Sequence, residues 1–152
     1  ILAPPASNSS DVLVRVAPEN GGDVAGAGNY LHGDEVTLMA TPNEGYTFVA
    51  WKENGNIVSV ELEYNFVITE PKNFIAEFAL NSYDVNVSVV PENGGDVAGA
   101  GNYLHGDEVT LMATPNEGYT FVAWKENGNI VSEELEYSFV ITEQKSFIAK
   151  FF

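Results

Sequence analysis

The chain has 152 residues, of which 22 are acidic and six basic, so its net charge is −16, and it contains no cysteine. Without cysteine, disulfide scaffolds, thiol enzymes and cysteine-ligated zinc sites are excluded. Apolar residues make up 45% of the chain, which is too many for a disordered acidic tail. The negative charge repels nucleic-acid backbones and anionic membrane surfaces. No apolar run approaches the roughly 20 residues of a membrane span, so we expect no membrane insertion.

The first ten residues, ILAPPASNSS, are rich in proline and serine. They lack the basic start and the long apolar stretch of a signal peptide. We therefore predict an N-terminal linker over residues 1–10, either behind a removed signal or inside a longer protein.

A long internal repeat follows this segment. Residues 18–59 recur letter for letter at 91–132, and the longer stretches 11–78 and 84–151 differ at only eight of 68 positions. Copies this similar must share one fold. The sequence therefore predicts two modules joined by a short linker, with domain bounds of 11–80 and 81–152.

The eight differences show which positions the fold leaves free. In the first predicted strand the positions that change alternate with valines that do not, and side chains in a strand alternate between its two faces. The valines are therefore predicted to face inward and the changing positions outward. The differing pairs are Leu13/Asn86, Arg15/Ser88, Ala17/Val90, Val60/Glu133, Asn65/Ser138, Pro71/Gln144, Asn73/Ser146 and Glu77/Lys150.

Every element predicted for the first module is a strand. In chain order the predicted strands cover residues 12–17, a glycine-rich 23–31, 35–41, 46–53, 57–59, 61–69 and 73–79. Asn54-Gly55 favours a type I′ hairpin turn, and Trp51 breaks the alternation of Tyr46 and Phe48, which predicts a bulge or burial on both faces. No stretch has a capped helical period. We predict an all-β fold of two small antiparallel modules, each a sandwich, an open barrel or a β-grasp-like sheet without a clear helix.

A set of glycine, aromatic and proline positions points to a known family. It comprises Gly21-Gly22, Gly26-x-Gly28-x-Tyr30, Gly33-x-Glu35-Val36-x-Leu38-x-Ala40-x-Pro42, Glu44-Gly45-Tyr46-x-Phe48-x-x-Trp51 and Phe74-Ile75-Ala76-x-Phe78. With these residues each copy resembles the divergent internalin-type (InlB-type) B-repeat, also called the Listeria–Bacteroides repeat. Ala50 and Ala123 stand where typical repeats have glycine before the tryptophan.

The resemblance implies a bacterial cell-surface or secreted protein in which the module recurs as a stalk or an adhesive unit. Typical members are similar to a β-grasp, ubiquitin-like sheet. The family has no catalytic motif to carry over, so the resemblance implies no catalytic residue, no metal site and no cofactor.

The histidines are the first candidate site residues to weigh. His32 and its repeat His105 each lie in a predicted turn and could act as a base or a metal ligand. A zinc site needs three or four ligands, and each copy has one histidine. We interpret both residues as solvated turn residues.

The acidic residues raise two further possibilities. Glu61 and Glu63, repeated as Glu134 and Glu136, are spaced like a glycosidase pair, but one of its acids must be buried, and these lie on the predicted outer face. The acids Asp23, Asp34 and Glu35 lack the spacing of a calcium loop. Gly26-Ala27-Gly28 lacks the G-K-[ST] ending of a phosphate loop.

Three aromatic residues of each copy could form a platform for stacking sugars, or they could fill the core. They are Tyr30, Tyr46 and Trp51 in the first copy. We favour the core, since large rings supply much of the burial in a small module.

These observations predict a non-catalytic, extracellular tandem β-repeat that acts as a spacer or an adhesive, protein-binding unit. The alternative is a carbohydrate-binding module. The expected partners are a host or cell-surface protein or a glycan. The acidic surface predicts a monomer, and near-identical neighbours leave strand exchange open.

Overall fold

The computed structural model describes residues 8–152, which form two compact units that divide between Leu80 and Asn81. Within residues 8–152 every regular element is a strand and no helix is formed, so the all-β prediction is confirmed. No helix in this part of the chain could therefore cross a membrane.

The first module contains eight strands. They are β1 (Ser9–Ala17), β2 (Gly22–Ala25), β3 (Gly28–Leu31), β4 (Glu35–Pro42), β5 (Tyr46–Glu53), β6 (Asn56–Ser59), β7 (Glu63–Val67) and β8 (Lys72–Leu80). The second module repeats them as β9 (Ser82–Val90), β10 (Gly95–Ala98), β11 (Gly101–Leu104), β12 (Glu108–Pro115), β13 (Phe121–Glu126), β14 (Asn129–Ser132), β15 (Glu136–Val140) and β16 (Lys145–Phe151).

Each module consists of two open sheets. In the first module a five-stranded sheet has the order β3-β1-β8-β5-β6 and a three-stranded sheet has the order β2-β4-β7. The second module has the corresponding sheets β11-β9-β16-β13-β14 and β10-β12-β15. No sheet closes into a barrel, so each module is a sandwich.

One pairing in each module differs from the antiparallel arrangement that the sequence predicted. β1 and β8 run parallel, with Val14 beside Phe74, and β9 and β16 repeat this pairing. A parallel pair needs a long crossover between its strands, and here β2 to β7 provide it. The alternation of apolar residues is the same in both kinds of pairing, which is why the sequence did not reveal the difference.

The predicted glycine-rich strand over residues 23–31 is in fact two strands. β2 pairs with β4 in one sheet, whereas β3 pairs with β1 in the other. The chain changes sheets at Gly26, whose φ of 112° is readily adopted only by glycine. A Cβ at Gly26 would also overlap the carbonyl oxygen of Thr37.

Two local predictions in β5 and its hairpin are confirmed. The β5–β8 register shifts between Phe48 and Ala50, which is the bulge that reverses the alternation before Trp51. Asn54 and Gly55 have φ values of 52° and 82°, as a type I′ turn requires. The predicted strand over residues 61–69 is shorter than expected, since β7 covers only Glu63–Val67.

The core of each module lies between its two sheets and is formed by that module's own residues. In the first module it comprises Val12, Val36, Leu38, Ala40, Trp51, Ile68, Phe74, Ala76 and Phe78. The matching residues fill the second core. Val12 is fully buried and Leu13 is exposed, which confirms the predicted inward and outward faces of the first strand.

The repeat begins earlier than the sequence comparison indicated. Asn8 and Ser9 match Asn81 and Ser82, and the carbonyl oxygens of Asn8 and Asn81 accept equivalent hydrogen bonds from the backbone of the two histidines. Residues 1–7 of the predicted linker lie outside the described residues, and Ser9 and Ser10 belong to β1.

Candidate functional site

The two histidines lie in equivalent turns but have different neighbours. His32 is exposed. His105 is half-buried, because the hydroxyl group of Tyr83 lies 3.1 Å from its Nδ1 and the two rings are in contact. The equivalent of Tyr83 in the first module is Ser10. Neither histidine belongs to a cluster of three potential metal ligands among residues 8–152.

The predicted acidic candidates are all exposed. The side chains of Glu61 and Glu63 form no ion pair in the described part of the chain. The backbone of Glu61 holds this segment in place, because its carbonyl oxygen accepts a hydrogen bond from Nε1 of Trp51 and its N–H donates to Oγ of Ser59. Asp34 has a local role, since its Oδ2 accepts a hydrogen bond from the backbone N–H of Leu31 at 3.0 Å. Of these acids, Asp23 alone lines one of the two grooves described below.

The aromatic candidates belong to the core. Trp51 has no exposed surface. The hydroxyl group of Tyr30 donates to the carbonyl oxygen of Gly26, and that of Tyr46 donates to Oδ1 of Asn20 at 3.2 Å. Both tyrosines are half-buried and pack against the core of the first module.

Most of the lysines are held in ion pairs. Lys52 contacts Glu77 at 3.0 Å, and Lys72 contacts Glu53 at 3.0 Å and Glu70 at 3.5 Å. The hydrogen bond to Glu53 raises the pKa of Lys72 above its usual 10.5, although partial desolvation opposes this. Lys145 repeats the arrangement of Lys72 in the second module, with the same direction of shift from the same cause.

Three cations lack an acidic partner among residues 8–152, and sequence reasoning did not single them out. They are Arg15, Lys125 and Lys150. All three point outward from a five-stranded sheet, because they alternate with core residues along β1, β13 and β16. Two of these cations, Arg15 and Lys150, stand at positions that differ between the copies, which is the sequence feature that could have identified them. Lys125 and Lys150 are neighbours only because β13 pairs with β16, which local sequence patterns do not reveal.

The five-stranded face of the first module has two shallow grooves around Arg15. Arg15 and Ile75, which are neighbours in register on β1 and β8, are shared by two grooves with volumes of about 670 and 310 Å³. The smaller groove is also lined by Leu13, Lys52, Asn54 and Asn73, among others. Its lining is therefore partly aliphatic and partly polar, and it includes the two cations Arg15 and Lys52.

The outer face of the three-stranded sheet has the opposite charge. In the first module its outward positions carry Asp23, Glu35 and Glu63 and no basic residue. In the second module they carry Asp96, Glu108 and Glu136. Each sandwich thus has an acidic face opposite a face that carries cations.

The sheets also have open edges. β7 pairs with β4 on one side only, and hydrogen bonds at Leu62 and Ile68 direct the backbone of these two residues toward the β4 side. Because strand backbone groups alternate in direction, those of Glu63, Asn65 and Val67 point away from the sheet. β15 presents the same edge in the second module.

Comparison with solved structures finds a similarity to the Bacillus anthracis TIE protein, with a TM-score of 0.45 and 11% sequence identity. The match covers 95% of this chain but only 34% of the TIE chain, so this chain spans about a third of that protein's length. Similarity at this level indicates neither a shared ligand nor a shared activity. No curated protein matches the chain.

Family assignment rests on both copies. Residues 12–82 and residues 85–152 each match the family described as the divergent InlB B-repeat domain. Together the two matches cover nearly the whole chain, and each includes one complete core. The chain therefore belongs to the divergent InlB B-repeat family and consists of two such repeats in tandem.

Proposed function

We propose that the chain is a non-catalytic repeat segment of a bacterial cell-surface or secreted protein, where it acts as a spacer or as a protein-binding unit. The observation that supports this most directly is that the same complete sandwich core occurs twice. Every buried side chain in the described residues is apolar, so each module is organised for stability.

An enzymatic role finds no support in the geometry. General acid–base catalysis needs a group with a tuned pKa within reach of a reacting atom. The candidate groups His32, Glu61 and Glu63 are exposed and separate. Family membership supports the same conclusion, since the family is a repeat domain.

A spacer role follows from how the modules are built and joined. β8 ends at Leu80 and β9 begins at Ser82, so a single residue separates two folded units. Repeated stable units with a short junction lengthen a protein without the conformational freedom of a flexible linker.

A protein-binding role is supported by the open sheet edges. The free backbone groups of Glu63, Asn65 and Val67 can accept an added strand from another protein. A carbohydrate-binding role lacks a comparable observation, since Trp51 is buried and the hydroxyl groups of Tyr30 and Tyr46 are bonded within the module.

The location and the spacer role can be tested together in the bacterium that makes the full-length protein. We expect an antibody raised against residues 8–152 to label intact cells, and the signal to disappear after protease treatment of the cell exterior. Labelling only after lysis would contradict the proposed location. Deletion of residues 8–80 should then reduce access to whatever lies beyond the repeats, whereas unchanged access would contradict the spacer role.

Strand addition can be tested with a matched pair of variants. Proline lacks the N–H group that an added strand needs. Asn65→Pro removes an outward N–H at the β7 edge, whereas Asn65→Ser introduces the residue already present at Ser138. We expect the serine variant to bind host-cell surface protein as the natural chain does and the proline variant to bind less, because only the β15 edge of the second module is then intact. Equal binding by two folded variants would exclude this edge.

A further inference from the structure

Differences between the two modules are concentrated on one surface. The outward positions of β1 and β8 form a surface that we call the β1–β8 face, and the equivalent positions of the second module form the β9–β16 face. Five of the eight differences between the copies fall among the seven positions of this surface. These positions are Asp11, Leu13, Arg15, Ala17, Asn73, Ile75 and Glu77, equivalent to Asp84, Asn86, Ser88, Val90, Ser146, Ile148 and Lys150.

Exposure alone does not explain this concentration. Most other exposed positions are identical in the two copies, including the acids of the three-stranded sheets. The three remaining differences are scattered over two loops and one strand. The modules therefore differ mainly in what the outer face of the five-stranded sheet presents to solvent.

The most consequential of these differences is Glu77 to Lys150. In the first module the Glu77 carboxylate lies 3.0 Å from Nζ of Lys52. In the second module Lys150 and Lys125 take these two positions. They lie on adjacent strands two residues apart in register, where like charges repel.

The first module shows what is missing from this arrangement. In the first module the Glu77 carboxylate neutralises Lys52. In the second module no described residue provides an equivalent carboxylate for Lys125 or Lys150. The carboxylate of Asp84, the acid on the same face, forms no ion pair with Lys125 or Lys150, and its Oδ1 accepts a hydrogen bond from Asn102 at 2.9 Å. The β9–β16 face therefore favours a carboxylate supplied by another molecule.

The chain itself carries a surface of matching chemistry. The outer face of each three-stranded sheet presents three carboxylates and no cation. Both surfaces also expose aliphatic side chains, with Ile148 at 41% on the β9–β16 face and Met112 and Val140 at 40% and 58% on the acidic face. Neither presents an exposed ring for a sugar. Charge and apolar chemistry are thus complementary between the two faces.

We propose that the β9–β16 face of one chain docks against the acidic outer face of a three-stranded sheet in a second copy, with a partner carboxylate taking the position that Glu77 occupies in the first module. The two surfaces are different, so the contact is heterologous and runs head to tail. Both chains carry a charge of −16, which opposes their approach, so the association is weak and reversible. The contact does not depend on where the protein is located.

A single substitution tests the cationic side of the contact. Lys150→Glu introduces the residue that the first module already accommodates and allows an ion pair with Lys125. The fold should therefore be kept and the thermal midpoint unchanged or raised. Association is measured by sedimentation equilibrium over a wide range of protein concentration at about 0.15 M NaCl, where the Debye length of about 8 Å screens distant charges. We expect concentration-dependent association of the natural chain and a roughly tenfold or greater loss in the variant.

Reciprocal variants identify the surfaces. Glu77→Lys gives the first module the lysine pair of the second, so association should strengthen. Replacing four glutamates of the three-stranded sheets with glutamine (E35Q/E63Q/E108Q/E136Q) should weaken association. Adding Lys150→Glu to this variant should cause little further loss of association, because both changes remove the same contact.

Two outcomes would overturn the proposal. One is association of the natural chain to the same extent as the Lys150→Glu variant. The other is a natural chain that stays monomeric at every concentration. If inorganic phosphate then perturbs the NMR signals of Lys125 and Lys150, the lysine pair is assigned to a small anion instead of a second copy.

Discussion

Nε1 of Trp51 donates a hydrogen bond to the carbonyl oxygen of Glu61 at a distance of 3.0 Å. Trp51 belongs to the five-stranded sheet, and Glu61 lies in the connection that leads into the three-stranded sheet. The indole therefore fills the core and also fixes the segment that joins the two layers. Trp124 and Glu134 repeat this relationship at the same distance.

This relationship predicts the effect of Trp51→Phe. The smaller ring leaves a cavity and lacks the N–H group that donates to the Glu61 carbonyl oxygen. We expect the free energy of unfolding of the first module to fall by about 2 to 3 kcal/mol. Urea unfolding followed by circular dichroism should then show two separate transitions.

The second module provides a built-in reporter for this experiment. In the Trp51→Phe variant Trp124 is the remaining tryptophan, so fluorescence follows the second module alone and should keep its original midpoint. The variant Trp124→Phe should give the mirror result. A fluorescence midpoint that moves together with the damaged module would contradict the independence of the two cores.

Gly22 is the second position where the structure predicts a sharp effect. A Cβ at this residue would lie 2.6 Å from the carbonyl oxygen of Thr41 and 2.6 Å from Cε1 of Phe78. Since Thr41 belongs to the neighbouring strand and Phe78 to the core, neither can move freely. We expect Gly22→Ala to lower the free energy of unfolding by about 3 kcal/mol.

Gly55→Ala is the matched control for Gly22→Ala. The space around Gly55 is open, and only its φ of 82° opposes a side chain. We expect a loss of about 1 kcal/mol, measured by thermal unfolding of both variants. Equal losses would indicate that close packing at Gly22 is not what excludes a side chain there.

The sequence predicted much of this fold because the repeat supplied an internal comparison. Alternation around Val12 and around Leu38 placed their side chains inward, and the parity break at Trp51 located the bulge. These signals are local, since each depends on side chains a few residues apart in one strand. The predicted family was also confirmed by the match of both copies.

What the sequence did not predict depends on long-range pairing. The parallel contact between β1 and β8 joins residues about 60 positions apart. The alternation of apolar residues along a strand does not show whether its neighbour runs parallel or antiparallel. The sheet change at Gly26 was hidden because glycine is compatible with a strand and with its interruption. The lysine pair of the second module was missed for the same reason, because Lys125 and Lys150 are neighbours only across β13 and β16.

Tyr83 is expected to make the second module more stable than the first. Its ring packs against the second core and its hydroxyl group contacts His105, whereas the first module has Ser10 at this position. We expect Tyr83→Ser to cost about 1 to 2 kcal/mol in urea unfolding of the full chain.

Two further variants separate the ring from the hydroxyl group. Tyr83→Phe keeps the packed ring and should cost less than about 1 kcal/mol. Ser10→Tyr should stabilise the first module by burying a ring beside His32. If Tyr83→Phe were as damaging as Tyr83→Ser, the contact with His105 and not the ring would be the source of the stability.

The ion pair of Lys72 predicts how stability depends on pH. The hydrogen bond to Glu53 raises the pKa of Lys72 above 10.5 in the folded protein, whereas in the unfolded chain the group titrates near its ordinary value. A raised pKa contributes stability that is fully present below the unfolded value and is lost as the pH rises through the folded one. Comparing Lys72→Gln with the natural chain isolates this contribution from the titration of the tyrosines. We expect the natural chain to be the more stable at about pH 8 by up to about 1 kcal/mol, and the difference to shrink at about pH 11.5.

Lys125→Gln, which removes a lysine without an ion pair in the described part of the chain, serves as the control in the same urea titrations. A difference between Lys72→Gln and the natural chain that stays constant over this range would show that the ion pair does not contribute.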